Sequence, residues 1–416
     1  MTTSEATMSE ATMSGETTDE ATTNAAAREA GPAATGPVEF AVVGRGWRAD
    51  FYLRVARLVP ERFRCLGVVT RDADAGARLE REWGVPTYRS PKGLAAACDP
   101  EVVVTSVPRA VNPAVVRELV SLGLPVLSET PPAQDGEGLR ELWAAVGDSG
   151  LVQVAEQNPY LPIMTALRAP VLRDALGELT SVHVSWTHDY HAMALARAFL
   201  RLEAEPARVT AFRTEGPLLE GPGRGGRPTD PQVRRAAHTL AVLESRGVTA
   251  VYDFTDTQWF HPLRRSQLIL RGSHGEVVGG QVTWGDDDGT VHSAPVHRRQ
   301  TGWDGDLEGA DLDTLTWAGH VLYRNPYLGA RLSDEEIAIA TCLERTAMWR
   351  RGQGPAPYPL AHACQDHLLS LAIHAAARDR SAVTTGREAW ATAVNNEVAG
   401  PLASQFCRQM SRPRQE

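Results

Sequence analysis

From Val38 onward, short apolar runs alternate with amphipathic stretches. Val38–Gly44 (VEFAVVG) is apolar almost throughout, as a strand buried on both faces must be. Trp47–Val59 then sets Phe51, Val55, Leu58 and Val59 on one face of a helix. The pattern predicts strand Cys65–Thr70, helix Ala73–Trp83, strands Val85–Tyr88 and Val102–Val107, helix Pro113–Leu122, strand Pro125–Ser128, helix Gly136–Ser149 and strand Leu151–Ala155. Such alternation predicts an α/β fold with a parallel, doubly wound sheet. Right-handed crossovers would place its helices on both faces.

After about Asn158 the rhythm changes. Pro159–Leu176 reads as helical. Longer strands follow at Ser181–Thr187, Val209–Thr214, Thr239–Glu244 and Val248–Phe254, the last two joined by Ser245-Arg246-Gly247, a hairpin signal. Ser266–Arg271 and Glu276–Thr283 flank a second turn, Gly272–Gly275. Long strands joined by hairpins predict a C-terminal α+β domain with a large, mostly antiparallel open sheet. Two helices close it. Asp334–Arg350 starts at a capping box of Ser333 and Glu336, and Leu360–Ala376 carries one apolar stripe. Glu215–Arg234 is so rich in Gly and Pro that it reads as a long loop, of the length that lids use. The expected organisation is a tail at 1–36, one domain at 37–158 and a second at 159–416. An open sheet with one bare face needs a cover, so a homodimer or homotetramer is expected.

Composition changes this picture mainly at the N-terminus. The net charge is -9, and residues 1–36 carry six acidic side chains against Arg28 alone. With SEATM repeated at Ser4–Met8 and Ser9–Met13, that tail has too little apolar sequence to offset the entropy of ordering. The remainder is near neutral, which argues against a nucleic-acid partner. No run of about 18 apolar residues suggests a membrane span. The five cysteines, Cys65, Cys98, Cys342, Cys364 and Cys407, form no CxxC pair, so neither zinc nor disulfides are expected and a reduced, cytoplasmic protein is the simplest reading. His362, Asp366 and His367 lack a further spaced ligand, so no metal site is expected. Asp286–Gly289 reads as a solvated hairpin turn.

The chemistry concentrates at strand ends. Gly44-Arg45-Gly46-Trp47-Arg48-Ala49 matches GxGxxG/A between the first strand and its helix, the position of a dinucleotide-binding Rossmann turn. Gly44 would permit the tight turn, Gly46 the approach of a diphosphate and Ala49 close helix packing. The helix N-terminus offers free N–H groups to phosphate. At the end of the second strand, Thr70-Arg71 replaces the acid that would bind both ribose hydroxyls. Arginine pairs with a 2′-phosphate, so NADP is expected over NAD. Glu156-Gln157-Asn158-Pro159-Tyr160 follows the sixth strand, where doubly wound sheets bind ligands. Asn158 and Tyr160 are therefore substrate-contact candidates, with Tyr160 a candidate acid.

These motifs together resemble the glucose–fructose oxidoreductase/inositol dehydrogenase (Gfo/Idh/MocA) family from about residue 38 to 390. Thr105-Ser106-Val107-Pro108 resembles the family's turn near the nicotinamide, which makes Ser106, Val107 and Pro108 cofactor contacts by resemblance. Leu122–Pro131 is similar to its G-K-H-V-x-x-E-K-P stretch, and Arg271–Glu276 to a hairpin of its substrate domain. The resemblance implies a small-molecule substrate and contacts from Glu129 and Thr130. Thr130 stands where the family has a catalytic lysine, and a hydroxyl cannot serve as a cationic acid. At Thr187-His188-Asp189-Tyr190-His191 the family pattern is D-x-G-x-H, so His191 aligns with its histidine and Thr187 takes the place of its aspartate. His191, assisted by His188 or Tyr160, is the expected proton-transfer residue, and Tyr190 a substrate contact. The resemblance implies an NAD(P)-dependent oxidoreductase acting on a carbohydrate-like or other polar alcohol or carbonyl. Two alternatives also accommodate Thr130: an imine reductase, since Thr87–Leu94 resembles thiazolinyl imine reductases, and a cofactor-binding protein without redox turnover.

Overall fold

A computed structural model describes residues 36–302 and 309–398. Residues 1–35 of the expected tail and Cys407 lie outside them. The N-terminal part runs β1 (Val38–Val43), α1 (Trp47–Leu58), β2 (Phe63–Val69), α2 (Ala73–Trp83), β3 (Thr87–Tyr88), α3 (Pro91–Ala97), β4 (Val102–Thr105), α4 (Asn112–Ser121), β5 (Val126–Ser128), α5 (Gly136–Val146) and β6 (Val152–Val154). The strands pair in parallel in the order β3-β2-β1-β4-β5-β6. The order reverses between β1 and β4, which leaves a crevice beyond their carboxyl ends. The apolar runs are buried for the expected reason: Phe40, Val42, Val102, Val103, Val104, Val126 and Leu127 have no exposed surface, because helices cover both faces. Helix α3, absent from the sequence reading, is capped by Ser90 with Pro91 in its first turn, a start favoured by proline's fixed φ.

The expected helix Pro159–Leu176 is divided. A short 3₁₀ turn (Asn158–Tyr160) precedes α6 (Pro162–Leu167) and α7 (Pro170–Leu176). Pro162 and Pro170 each start a helix, where a missing N–H costs nothing. Next come β7 (Leu179–Ser185), α8 (Asp189–Leu200), β8 (Arg208–Leu219), β9 (Val233–Ser245), β10 (Val248–Thr255), β11 (Gln267–Gly272), β12 (Gly275–Val278), β13 (Gln281–Gly285) and β14 (Val291–Pro295). With β18 (Val383–Thr384) they make a nine-stranded sheet in the order β14-β13-β12-β11-β7-β10-β9-β8-β18. Its pairs are antiparallel except β7–β10. The strand expected over Glu276–Thr283 is two strands, folded back at Gly279-Gly280, both with positive φ. Asp286 caps the β13–β14 turn, accepting from Thr290 N at 2.9 Å. A small sheet of β15 (His297–Gln300), β16 (Leu312–Trp317) and β17 (His320–Arg324) follows, then α9 (Asp334–Arg350), α10 (Leu360–Asp379) and α11 (Ala391–Val398).

The stretch Glu215–Arg234 is not all loop. β8 and β9 stay paired out to Leu219 and Val233, leaving residues 220–232 as the hairpin tip. Helices α8 and α10 cover one face of the nine-stranded sheet. They are tied by Arg197 and Asp366, both 3% exposed and 2.6 Å apart. Removing either partner would strand a buried charge, at about 3–5 kcal/mol. The capping box at Ser333 and Glu336 is formed. Helix α9 is pinned to the first sheet's layer by Arg54–Glu336 at 2.6 Å and Arg48–Glu335 at 2.7 Å. One apolar core runs from Phe40 and Tyr52 through Ile337 and Leu343 to Val184 and Tyr252.

Candidate active site

A cleft of about 1460 Å³ runs along the carboxyl ends of β1, β2, β4 and β5 to the start of α8. That exceeds the roughly 300–1,000 Å³ of a single small-ligand pocket and suits an extended ligand with a second molecule beside it. At one end, Gly44 has φ 113°, and a Cβ there would stand 2.0 Å from the Ser106 carbonyl oxygen. Only glycine fits. At Gly46 a Cβ would meet the same oxygen at 3.6 Å, an ordinary contact. Packing within the chain therefore does not demand glycine at 46; the open space belongs to the cleft. Gly46 is also the N-cap of α1 and brings no side chain to its free N–H groups, which leaves them for an anion. These features fit a diphosphate.

Beyond β2, the cleft is lined by Thr70, Arg71, Asp72, Arg89 and Arg45. Arg45 lies 3.5 Å from Asp72, Arg89 donates to Thr70 O at 2.8 Å, and Asp72 caps α2 through Ala75 N at 3.1 Å. Three guanidinium groups against one carboxylate make this end cationic.

At the other end, Asn112 organises the β4 and β5 termini. Its side chain meets Thr105 Oγ1 at 2.7 Å, Ser128 Oγ at 2.9 Å and Pro132 O at 3.1 Å. Thr105 Oγ1 in turn accepts from Glu129 N at 3.0 Å. This network seats the Glu129-Thr130-Pro131 turn, with its cis Thr130–Pro131 peptide. The Thr130 side chain stays on its neighbour, meeting Glu129 Oε1 at 3.3 Å. Burial pushes the Glu129 carboxyl upward against the pull of Arg48, 4.0 Å away.

His191 is 7% exposed and Glu156 2%. Their Nδ1 and Oε2 are 2.6 Å apart. Glu156 Oε1 accepts from Asn158 N at 3.1 Å and Asn158 Nδ2 at 3.0 Å. Burial opposes the His191 cation, but Glu156 outweighs it and the imidazole titrates above its ordinary value. Burial likewise opposes the Glu156 anion, yet His191 and Asn158 hold that carboxyl below its ordinary value. His188 stands beside the pair, its ring 5.2 Å from that of His191 and 4.8 Å from Trp259.

The structure brings most of the expected residues together. Gly44, Arg45, Gly46, Trp47, Arg48, Thr70, Arg71, Ser106, Val107, Pro108, Glu129, Thr130, Asn158, His188, Tyr190 and His191 all line this cleft. Asn158 lines it while serving Glu156. Tyr160 does not line it, and its candidacy as an acid is corrected. Its hydroxyl donates to Pro357 O at 2.7 Å, and burial raises its pKa to about 12. The sequence reading missed Glu156 as the partner of His191, and Asn112, Arg89 and Arg109. Arg109 lines the cleft one residue past Pro108. Arg224, at the tip of the β8–β9 hairpin, also lines it and sits 4.8 Å over the Trp47 ring. His362, Asp366 and His367 are apart from the cleft lining; Asp366 serves Arg197 and His367 Nε2 meets Gln134 O at 3.2 Å.

Residues 38–156 match the Gfo/Idh/MocA family model, described as an oxidoreductase family with an NAD-binding Rossmann fold. No curated protein matches the chain. Among solved structures, an oxidoreductase from Agrobacterium radiobacter in complex with NAD+, L-tartaric acid and magnesium is similar, with TM-score 0.61 and 13% identity over 83% of this chain and 98% of that one. Levoglucosan dehydrogenase in complex with NADH and levoglucosan is similar with TM-score 0.59 and 15% identity, over 84% and 99%. The WlbA dehydrogenase from Chromobacterium violaceum, with NADH and UDP-GlcNAcA, gives TM-score 0.55 and 15% identity over 84% and 96%. At these identities the likeness is one of fold.

Proposed function

Residues 38–156 belong to the Gfo/Idh/MocA oxidoreductases, an NAD-binding Rossmann family, and from that premise we propose that the chain exchanges hydride between NADP(H) and a carbohydrate-like polar alcohol or carbonyl. The observation that carries the reading is the His191–Glu156 pair at 2.6 Å, in the same cleft as the glycine turn. The fold neighbours were solved with a sugar anhydride, a nucleotide sugar acid and a hydroxy acid, which supports a polar, hydroxylated substrate. The cationic end formed by Arg45, Arg71 and Arg89 supports NADP.

A bound nicotinamide dinucleotide supplies hydride exchange with a substrate carbon. The Gly44–Gly46 turn and the first N–H groups of α1 would hold its diphosphate, and Arg71 with Arg45 its 2′-phosphate. Glu156 accepts the Nδ1 proton of His191, fixes the tautomer and favours the cation. His191 then donates a proton from Nε2 to a carbonyl oxygen that is becoming an alkoxide, and recovers it in the reverse direction. In this reading His191 takes the proton-handling role of the lysine whose place Thr130 holds. Membership in a sheet-faced fold supports a homo-oligomer of this chain.

The test is direct. NADPH and NADH are titrated into the protein by fluorescence, and reduction of 3-keto sugars, aldoses and cyclitols is followed at steady state. NADPH binds more tightly, and Arg71→Ala narrows the preference by about tenfold, the loss of one charge-assisted contact. His191→Gln lowers kcat by roughly 10²–10⁴-fold with dinucleotide affinity kept. Full turnover in that variant would remove His191 from the chemistry. Tight dinucleotide binding without hydride transfer across the panel would replace the enzyme reading with a binding protein.

A further inference from the structure

We infer that His374, acting through Asp189, holds His188 as the neutral, hydrogen-bond-accepting imidazole of the cleft, facing the proton-donating His191. The inference deepens the proposed proton handling and rests on that reading of the cleft.

Two histidine–carboxylate pairs meet here. His191 Nδ1 stands 2.6 Å from Glu156 Oε2, and His188 Nδ1 stands 3.2 Å from Asp189 Oδ2. What differs is the second oxygen of each carboxylate. Glu156 Oε1 receives only the neutral amide donors of Asn158, so the charge of Glu156 is left to His191. Asp189 Oδ1 meets a second imidazole, Nε2 of His374 on α10, at 3.0 Å. One carboxylate thus serves two histidines. The His374 side chain is 44% exposed and that of His188 29%, and water stabilises the more exposed cation better. The proton settles on His374. Asp189 then gives His188 an orienting hydrogen bond, with its negative charge already balanced from the outer side.

The backbone enforces this placement. Asp189 has φ 47°, a left-handed conformation unfavourable for a residue with a Cβ, and its N–H donates to the Tyr252 hydroxyl at 3.3 Å. His188 is faced by Asp189, by His191 and the nearby charge of Glu156, and by the rings of Tyr190, Phe254 and Trp259. His374 is faced by Asp189, with Arg213 and Asp256 beyond. The directions agree with the geometry. Burial lowers His188 in spite of Asp189, and the bond to Asp189 raises His374. Two titratable groups pushed apart in one cleft make an acid and a base. His191 is the acid that holds the reacting oxygen's proton in both directions, and His188, the weaker base, presents an unprotonated Nε2 that accepts a hydrogen bond from a neighbouring substrate hydroxyl.

Histidine-selective ¹³C labelling of the full-length chain, without substrate or dinucleotide, reads each imidazole's titration by NMR. Single Gln substitutions at His188, His191 and His374 assign the signals. His188 is expected to titrate below about 6.5 and His191 above it. His374→Gln frees the charge of Asp189 for His188 and raises the His188 midpoint by about one unit. Asp189→Asn, a residue that tolerates left-handed backbone, lowers the midpoints of both His188 and His374. Those opposite movements would not come from a general loosening. A His188 midpoint unmoved in His374→Gln, or one lying above that of His191, overturns the inference. Either result leaves the turnover test untouched, and a failed substrate panel would leave this titration standing.

Discussion

His191 and Glu156 make the site's acid–base behaviour a property of one buried contact, and that contact has a signature in stability. His191 is raised from 6.5, so its contribution is complete below that value and fades as pH climbs through the folded value. Glu156 is lowered from 4.5, so its contribution is present above that value and is lost as acid titrates the folded carboxylate. The pair therefore stabilises most between about pH 4.5 and 6.5. Glu156→Gln should lower the melting temperature most inside that window, and the difference from wild type should narrow on both sides of it. A pH-independent difference would mean that the two side chains are not an ion pair. The sequence placed His191 by motif alignment but not Glu156 as its partner. No local spacing joins residues 35 positions apart, and Glu156 sits in a stretch whose amide and ring drew attention first. Tyr160 failed as an acid for the same reason. Its partner, Pro357 O, is 197 residues away, and nothing near Tyr160 in the chain announces it.

At the scale of elements, the strand-to-helix turns were legible because their chemistry is local. A buried strand must be apolar and a turn with positive φ must be glycine, so β1, α1 and Gly44 were readable together. Gly44 also carries a sharp prediction. A Cβ at 44 would stand 2.0 Å from Ser106 O and 2.6 Å from its carbonyl carbon, backbone atoms at the end of β4, which Ser106 N ties to Val43 O of the neighbouring strand at 2.7 Å. Gly44→Ala should cost at least about 1–3 kcal/mol from the strained φ alone, lower the melting temperature by a few degrees and weaken NADPH binding more than tenfold. Unchanged affinity by calorimetry would show that the turn does not cradle the dinucleotide. The β8–β9 hairpin was less legible because composition and pairing disagree there. Gly216 pairs with Ala236 and Pro217 with Arg235. Beyond Arg208 and Val209, the only β8 positions paired with β18, β8 is an edge. A proline on an edge strand forfeits no ladder bond, so a run that reads as loop extends a strand and carries Arg224 to Trp47.

For the whole molecule, the nine-stranded sheet poses a question of coverage. Helices α8 and α10 pack on one face. The opposite face presents Phe212 of β8 at 63% exposure, with Leu240 and Val242 of β9 at 39% and 37%. Register places Phe212 against Leu240 and Thr210 against Val242, so these side chains form one contiguous apolar strip on adjacent strands. An apolar strip on a broad sheet face is costly to leave in water, and the cover we propose is a second copy of the same chain, which a twofold axis can supply with no further component. The alternation along β8 and β9 already implied a bare outer face. What it could not fix is which residues line up across strands, since that depends on the hairpin register. Replacing Phe212 and Val242 together with aspartate would set four like charges facing one another across a twofold contact. Sedimentation or light scattering should then report a monomer where the wild type is a dimer or larger, with the helix-covered face and dinucleotide binding retained. A wild-type chain that sediments as a monomer at micromolar concentration would refute the association, and an oligomer indifferent to both substitutions would place its interface elsewhere.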